Sequence, residues 1–296
     1  MKPVLYKISL MTNMHVGSGE VNYSVIDKEV ERDAVLGEAT IHASGVKGAL
    51  KDYCRGDQTY KGRILEIFGD DIKTDSETEI EIEAGHATTK KRATSPGAYK
   101  FFSAQLLARP LRVSSGNLSF VLATTRELLA YFVSLSQGVG IKVADAPELI
   151  YEPGTPPFVS SLRNIVVEGK PVVNLRPQDE LWAKLAEKLI GKPAVIADSL
   201  KEYDLPVIAR NCLNEQGLSK NLWYEEYVPH QSRFFFIILT PDGKDPLDFT
   251  DYVQFGGNAS IGCGYARVTR MAFGWDEAGV GGMNNAKDAD RNANWE

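Results

Sequence analysis

Cysteine and histidine are scarce in this chain of 296 residues, with three of the first and four of the second. Cys54, Cys212 and Cys263 lie far apart without CxxC spacing, which argues against a disulfide framework and a zinc ribbon. Each reads as a small hydrophobe rather than a reactive thiol. His42, His86 and His230 stand at no metal-ligand spacing. No run of 18 or more apolar residues occurs, so a transmembrane helix is not expected. The opening Met1-Lys2-Pro3-Val4-Leu5-Tyr6 lacks the apolar core of a signal peptide, and the expectation is a soluble, cytoplasmic protein with no membrane partner. An excess of basic charge is also missing: the net charge is −6, which speaks against a uniformly nucleic-acid-binding surface.

What is present is uneven. Lys47, Lys51, Arg55, Lys61 and Arg63 cluster early, while acidic residues gather at Asp70-Asp71, between Glu77 and Glu83, and towards the C-terminus. A local basic face on an acidic protein therefore stays open. Apolar residues make up 43% of the chain, enough for one large core or two small ones.

Residues 3–12 read as a strand, followed by a glycine-containing loop from Thr12 to Glu20. Residues 44–56 read as a helix capped by Ser44, with Val46, Leu50, Tyr53 and Cys54 on one face. The stripe Lys47, Lys51, Arg55 is either a solvated basic face or a row tracking phosphates. Thr74 to Pro96 reads as a polar insertion with a basic tip. Residues 118–123 read as a strand handing over to a helix near Thr125, residues 152–158 as a breaker-rich connection, and 165–173 as a short hairpin. A helix is expected at 178–190 and a long, partly exposed hairpin across 206–224, turning at Asn214 to Gly217. Phe234 to Leu239 reads as a buried strand, and the residues after Trp275 as a disordered tail. Strands and helices alternate with hairpins between them, so the class is α+β.

The C-terminal text Gly256-Gly257-Asn258-Ala259-Ser260-Ile261-Gly262-Cys263-Gly264 holds four glycines in nine residues. Such a loop is either a plain turn or a nest of backbone amides for an anion. Near the other end stand His15-Val16-Gly17, Ile26-Asp27-Lys28-Glu29-Val30-Glu31-Arg32 and Ser44-Gly45-Val46-Lys47-Gly48-Ala49-Leu50-Lys51. A glycine loop, a carboxylate, an arginine and a lysine-bearing helix start could together bind a phosphodiester and present an acid to it.

These four motifs, in this order, resemble the repeat-associated (RAMP) CRISPR proteins, and among them the backbone subunit of the type III-B, or Cmr, effector complex. Phe102-Ser103-Ala104-Gln105-Leu106-Leu107-Ala108-Arg109-Pro110-Leu111-Arg112 and Leu222-Trp223-Tyr224-Glu225-Glu226-Tyr227-Val228-Pro229 carry the resemblance further, over about residues 5–272. It implies a modified ferredoxin-like (RRM-like) palm over residues 1–273, an inserted thumb hairpin around 205–223, and a disordered tail at 274–296. It also implies copies of the chain stacked on a CRISPR RNA, with other type III subunits, cutting complementary target RNA at regular intervals to leave a cyclic phosphate.

Carried over by motif, Asp27 is the active carboxylate and the holder of Mg²⁺ or another divalent metal, with His15, Glu225 and Tyr227 beside it. Lys47, Lys51, Arg55, Gly256, Gly257, Gly262 and Gly264 would contact RNA. The chain departs from the family text at Glu29, at His42-Ala43-Ser44-Gly45 and at Gln105, which touches loop geometry and RNA contacts rather than Asp27. Two alternatives stay open: a backbone that binds RNA without cutting, and an RNA-processing nuclease acting alone.

Overall fold

A computed structural model describes residues 1–19, 25–70, 95–143, 146–148 and 155–272, with the backbone of 80–83 and 86–89. The tail expected at 274–296 lies outside the described residues. So does most of the polar insertion, apart from an antiparallel pair, Ile80–Glu83 with His86–Thr89.

The principal elements are β1 (Lys2–Leu10), α1 (Ala43–Gly56), β2 (Ala104–Ser115), β3 (Phe120–Thr125), α2 (Arg126–Gly138), α3 (Glu180–Ile190), β4 (Ala194–Ala197), β5 (Val207–Leu213), β6 (Ser219–Glu226), β7 (Arg233–Thr240), β8 (Tyr252–Gln254) and β9 (Tyr265–Arg270). Among the described residues, one mixed sheet runs β4-β3-β2-β7-β1-β9-β8, with short strands beyond β4 and along its sides. Its pairs are antiparallel except where β4 lies parallel to β3 and where the short strands Phe158–Ser160 and Val173–Asn174 run parallel.

The unbroken run Phe234-Phe235-Phe236-Ile237-Ile238 is fully buried because β7 sits mid-sheet with both faces covered. Phe234, Phe236 and Ile238 join Tyr6, Ile8, Val46 and Leu50 on the α1 side, where Tyr6 stacks on Phe236 at 5.1 Å. Phe235 and Ile237 join Leu129, Phe132 and Leu189 on the other side, where Phe132 meets Phe235 edge-on at 5.0 Å. Each such ring contributes about 1.5–3 kcal/mol of burial. No helix among the described residues is long and apolar enough to cross a membrane.

Two local expectations change. Ser44 does not cap α1: the helix starts at Ala43, and the Ala43 amide donates to the Ser103 hydroxyl at 3.1 Å. A neighbour brought in by the tertiary fold thus satisfies one of the helix's leading amides. The row Lys47, Lys51, Arg55 is not a uniform solvated stripe. Lys51 is buried and its Nζ donates to the Gly69 carbonyl at 3.2 Å, whereas Arg55 is exposed and Lys47 lies between these extremes. The long lysine stem covers apolar surface while its head finds a carbonyl.

The hairpin β5–β6 forms a two-stranded sheet of its own, paired from Val207↔Glu226 to Leu213↔Ser219. At its turn the Asn214 side-chain oxygen accepts from the amides of Gln216 and Leu218 at 3.0 and 2.8 Å, and Gly217 takes φ 77°. Residues 211–222 are exposed, while Glu225 and Glu226 at the base are buried.

Candidate functional site

The base of the hairpin is where the N-terminal motifs converge. The exposed Asp27 places Oδ2 2.8 Å from the Tyr224 amide of β6, which donates to it. The next residue continues the docking: the Lys28 amide donates to the Tyr224 carbonyl at 3.2 Å, and the Glu226 amide donates to the Lys28 carbonyl at 2.9 Å. On its other side the same segment pairs with the His15 loop, since the Glu31 amide donates to the Val16 carbonyl at 2.8 Å. Asp27 is therefore carried on a segment clamped between β6 and the His15 loop rather than on a free loop.

Beneath it lies Glu225, 1% exposed. Its Oε1 accepts from Lys28 Nζ and from Trp223 Nε1, both at 2.8 Å. Its Oε2 accepts from the Tyr227 hydroxyl at 2.6 Å, Asn258 Nδ2 at 3.0 Å and Arg210 Nη1 at 3.4 Å. Burial works to raise this carboxyl, but the hydrogen bonds from Lys28, Tyr227 and Trp223 and the Lys28 charge outweigh it and hold it down at about 2. The Tyr227 hydroxyl is pushed up, first by burial and then by the bond it donates to Glu225. Glu225 and Tyr227 share a side of the strand, as their spacing implies, but that side is an internal network and not a solvated face.

Glu226 faces the other way. It accepts from the Val30 amide at 2.9 Å and from Arg32 Nη2 at 2.6 Å, so the arginine of the Asp27 motif secures the far end of the clamped segment. His15 is 7% exposed, and its Nδ1 donates to the Glu226 carbonyl at 2.8 Å, which fixes the ring. Its ring lies 5.6 Å from that of Tyr227.

The glycine-rich loop is structured by internal contacts. The amides of Gly257, Gly262 and Gly264 donate to the carbonyls of His15, Ala259 and Asn13 at 2.9, 2.9 and 2.8 Å, so they are already engaged within the chain. A Cβ on Gly256 would stand 2.2 Å from the His15 carbonyl oxygen, and one on Gly264 would stand 1.9 Å from that of Phe255. Close backbone approach, with φ of 75° and 79°, is what demands glycine at these two positions. The loop's reach into the site is Asn258, left-handed at φ 63°, whose Nδ2 touches both Glu225 and the Tyr227 hydroxyl.

The structure thus brings together His15, Asp27, Glu225, Tyr227, Gly256 and Gly257. On α1, Lys51 bonds the Gly69 carbonyl and Arg55 pairs with Asp52, both outside that cluster. Sequence reasoning passed over Lys28, Arg210, Trp223 and Asn258. Their signal was adjacency to named motifs, but only cross-chain pairing reveals what they hold.

For a divalent cation, Asp27 is the available carboxylate: no cluster of three or more His, Cys, Asp or Glu is placed to hold a metal among the described residues. That donor set does not suit an ion caged by protein. It does suit Mg²⁺, which takes one or two carboxylates and completes its shell with water and substrate phosphate.

A sheet of this connectivity with a projecting hairpin, and a carboxylate docked at the hairpin's base, defines the class. The RAMP superfamily model matches residues 7–267, and the chain belongs to that superfamily. Within it, the chain is 26% identical to the CRISPR system Cmr endoribonuclease Cmr4 of Pyrococcus furiosus, over 91% of this chain and 96% of that protein. It is also 26% identical to the CRISPR system CMR subunit Cmr4 of Saccharolobus solfataricus, over 88% and 94%. The fold matches a chain of the Type III-B Cmr-beta complex bound to cognate target RNA, with a TM-score of 0.66 at 20% identity over 92% of this chain and 98% of that one. It matches oligomeric Cmr4 from Pyrococcus furiosus with a TM-score of 0.59 at 19% identity, over 92% and 98%.

Proposed function

We propose that this chain is the backbone subunit of a cytoplasmic type III CRISPR effector complex, and that it binds the CRISPR RNA and cuts complementary target RNA at regular intervals. The observation that carries this reading is the docking of Asp27 on the Tyr224 amide, which places an exposed carboxylate where the hairpin leaves the body. The names of the relatives, an endoribonuclease and a complex bound to target RNA, support it. In the same reading β1, α1, β2 and β7 form the modified ferredoxin-like palm, and β5–β6 is the thumb that bends the guide–target duplex.

Cleavage uses the RNA's own 2′-hydroxyl. It attacks the adjacent phosphorus, the bond to the 5′-oxygen breaks, and the products carry a 2′,3′-cyclic phosphate and a 5′-hydroxyl. The chain's task is to hold the kinked strand in line and to stabilise charge. Asp27 would hold Mg²⁺, which when bound offsets charge growing on the phosphate. His15, fixed through Nδ1 on the Glu226 carbonyl, would take the 2′-hydroxyl proton at its other ring nitrogen. Glu225, saturated by five donors, acts through others: it is a positioning residue that locks Lys28, and with it Asp27, onto β6.

The test is to isolate the co-expressed complex with its guide and to incubate labelled complementary RNA with Mg²⁺. Wild type should give an evenly spaced ladder, and Asp27→Ala should assemble and bind RNA normally while producing none. Intact RNA with both proteins would mean that the chain is scaffold alone.

A further inference from the structure

α2 and α3 pack on β2, β3 and β4 and reach Leu5 of β1, whereas among the described residues no helix packs on the corresponding face of β9 and β8, where Arg267, Thr269 and Tyr252 are exposed. Side-chain alternation shows which residues occupy that open face. Ala266, Val268 and Val253 point into the α1-side core, so Tyr265, Arg267 and Thr269 of β9 and Tyr252 of β8 point the other way. The registers Arg233↔Ser9, Ser9↔Arg267 and Arg267↔Tyr252 set four side chains in one row across four strands, about 14 Å at ~4.8 Å per strand. Lys7 lies one step along, opposite Phe235 and Thr269, and diagonal to both arginines.

Among the described residues no carboxylate pairs with Lys7, Arg233 or Arg267. Arg233 donates only to oxygens of Gln231 and Ser232. Lys7 is half-buried beside that guanidinium, and its ammonium is pushed down by burial and by the Arg233 charge. Like charges held partly out of water, with no counter-ion among the described residues, favour an added anion. Tyr252, 52% exposed, and Tyr265 meet edge-on at 5.2 Å beside this row, which puts aromatic surface next to the cations.

We propose that this open face, with Lys7, Arg233 and Arg267 flanked by Tyr252 and Tyr265, is a second surface for single-stranded RNA, separate from the Asp27 site. A cationic row that follows phosphates and rings on which bases stack are the two elements of sequence-tolerant RNA binding. On an acidic chain, a face whose strand positions carry cations and no acid concentrates the attraction in one place.

The experiment measures binding of a labelled single-stranded oligouridine of about 12 nucleotides to the full chain by anisotropy across a salt series, together with ultraviolet crosslinking. Arg267→Gln should flatten the dependence of log affinity on log salt by roughly 0.7, and Tyr252→Ala should weaken binding by about 5-fold or more. Crosslinks should fall on Tyr252 or Tyr265. Three results overturn the proposal: no binding by wild type; binding indifferent to both variants with crosslinks only at the hairpin base; or Arg267→Gln altering self-association by light scattering while RNA affinity holds. The second and third leave the Asp27 reading intact, because that reading is tested by cleavage.

Discussion

Glu225 accepts five hydrogen bonds while excluded from water, and its ionisation is therefore coupled to the fold. Its folded value of about 2 lies below the ordinary 4.5, so the carboxylate stabilises the protein above pH 4.5, and that contribution is lost as the pH falls towards 2. The difference corresponds to roughly 3 kcal/mol. Urea unfolding at pH 5 and pH 3 should show wild type losing stability over this window and Glu225→Gln losing much less. At pH 7, Glu225→Gln should be less stable by about 3 kcal/mol, because Lys28 and Arg210 lose their common anion. Retention of full cleavage by a folded Glu225→Gln protein would contradict the positioning role.

At the scale of elements, α1 and the hairpin make opposite kinds of contribution. In α1 two lysines of one expected stripe part company. Lys51→Ala should lower stability by about 1–2 kcal/mol through the stranded Gly69 carbonyl, with thermal melts as the readout. Lys47→Ala should leave the melt unchanged and weaken RNA binding, which filter binding across salt would show. The hairpin buries little beyond its base. Replacing residues 212–221 with an Asn-Gly turn, to close the Asn211↔Leu222 pair, should therefore shift Tm by only about 2–4 °C. The shortened protein should still lose evenly spaced cleavage, because the arm and not the carboxylate would bend the duplex. A large drop in Tm would mean that the arm belongs to the core.

The whole molecule carries a net charge of −6, so RNA must be held by local faces and not by overall attraction. Copies should assemble on guide RNA into a multimer whose size grows with guide length, measurable by mass photometry, and should stay dispersed without it. A protein that remains monomeric with guide bound would favour a nuclease acting alone.

Much of this protein was legible in its residues. The α+β class, the buried Phe234–Leu239 strand, the hairpin with its Asn214–Gly217 turn and the helix after Thr125 all follow from periodicity and turn chemistry, which act within a few residues. The choice of Asp27, His15, Glu225 and Tyr227 as a group came from family resemblance in the motifs. What the tertiary structure alone decided is what these groups do to one another. Asp27 and Tyr224 lie 197 residues apart, as do Lys28 and Glu225. No local rule reports that Glu225 is buried under five donors, that Asn258 closes over it, that Lys51 turns inward, or that the amides of Gly257, Gly262 and Gly264 donate to carbonyls of the chain. Hydrogen-bond saturation, burial and close backbone approach are properties of neighbours in space, and the sheet assembles those neighbours from both ends of the chain.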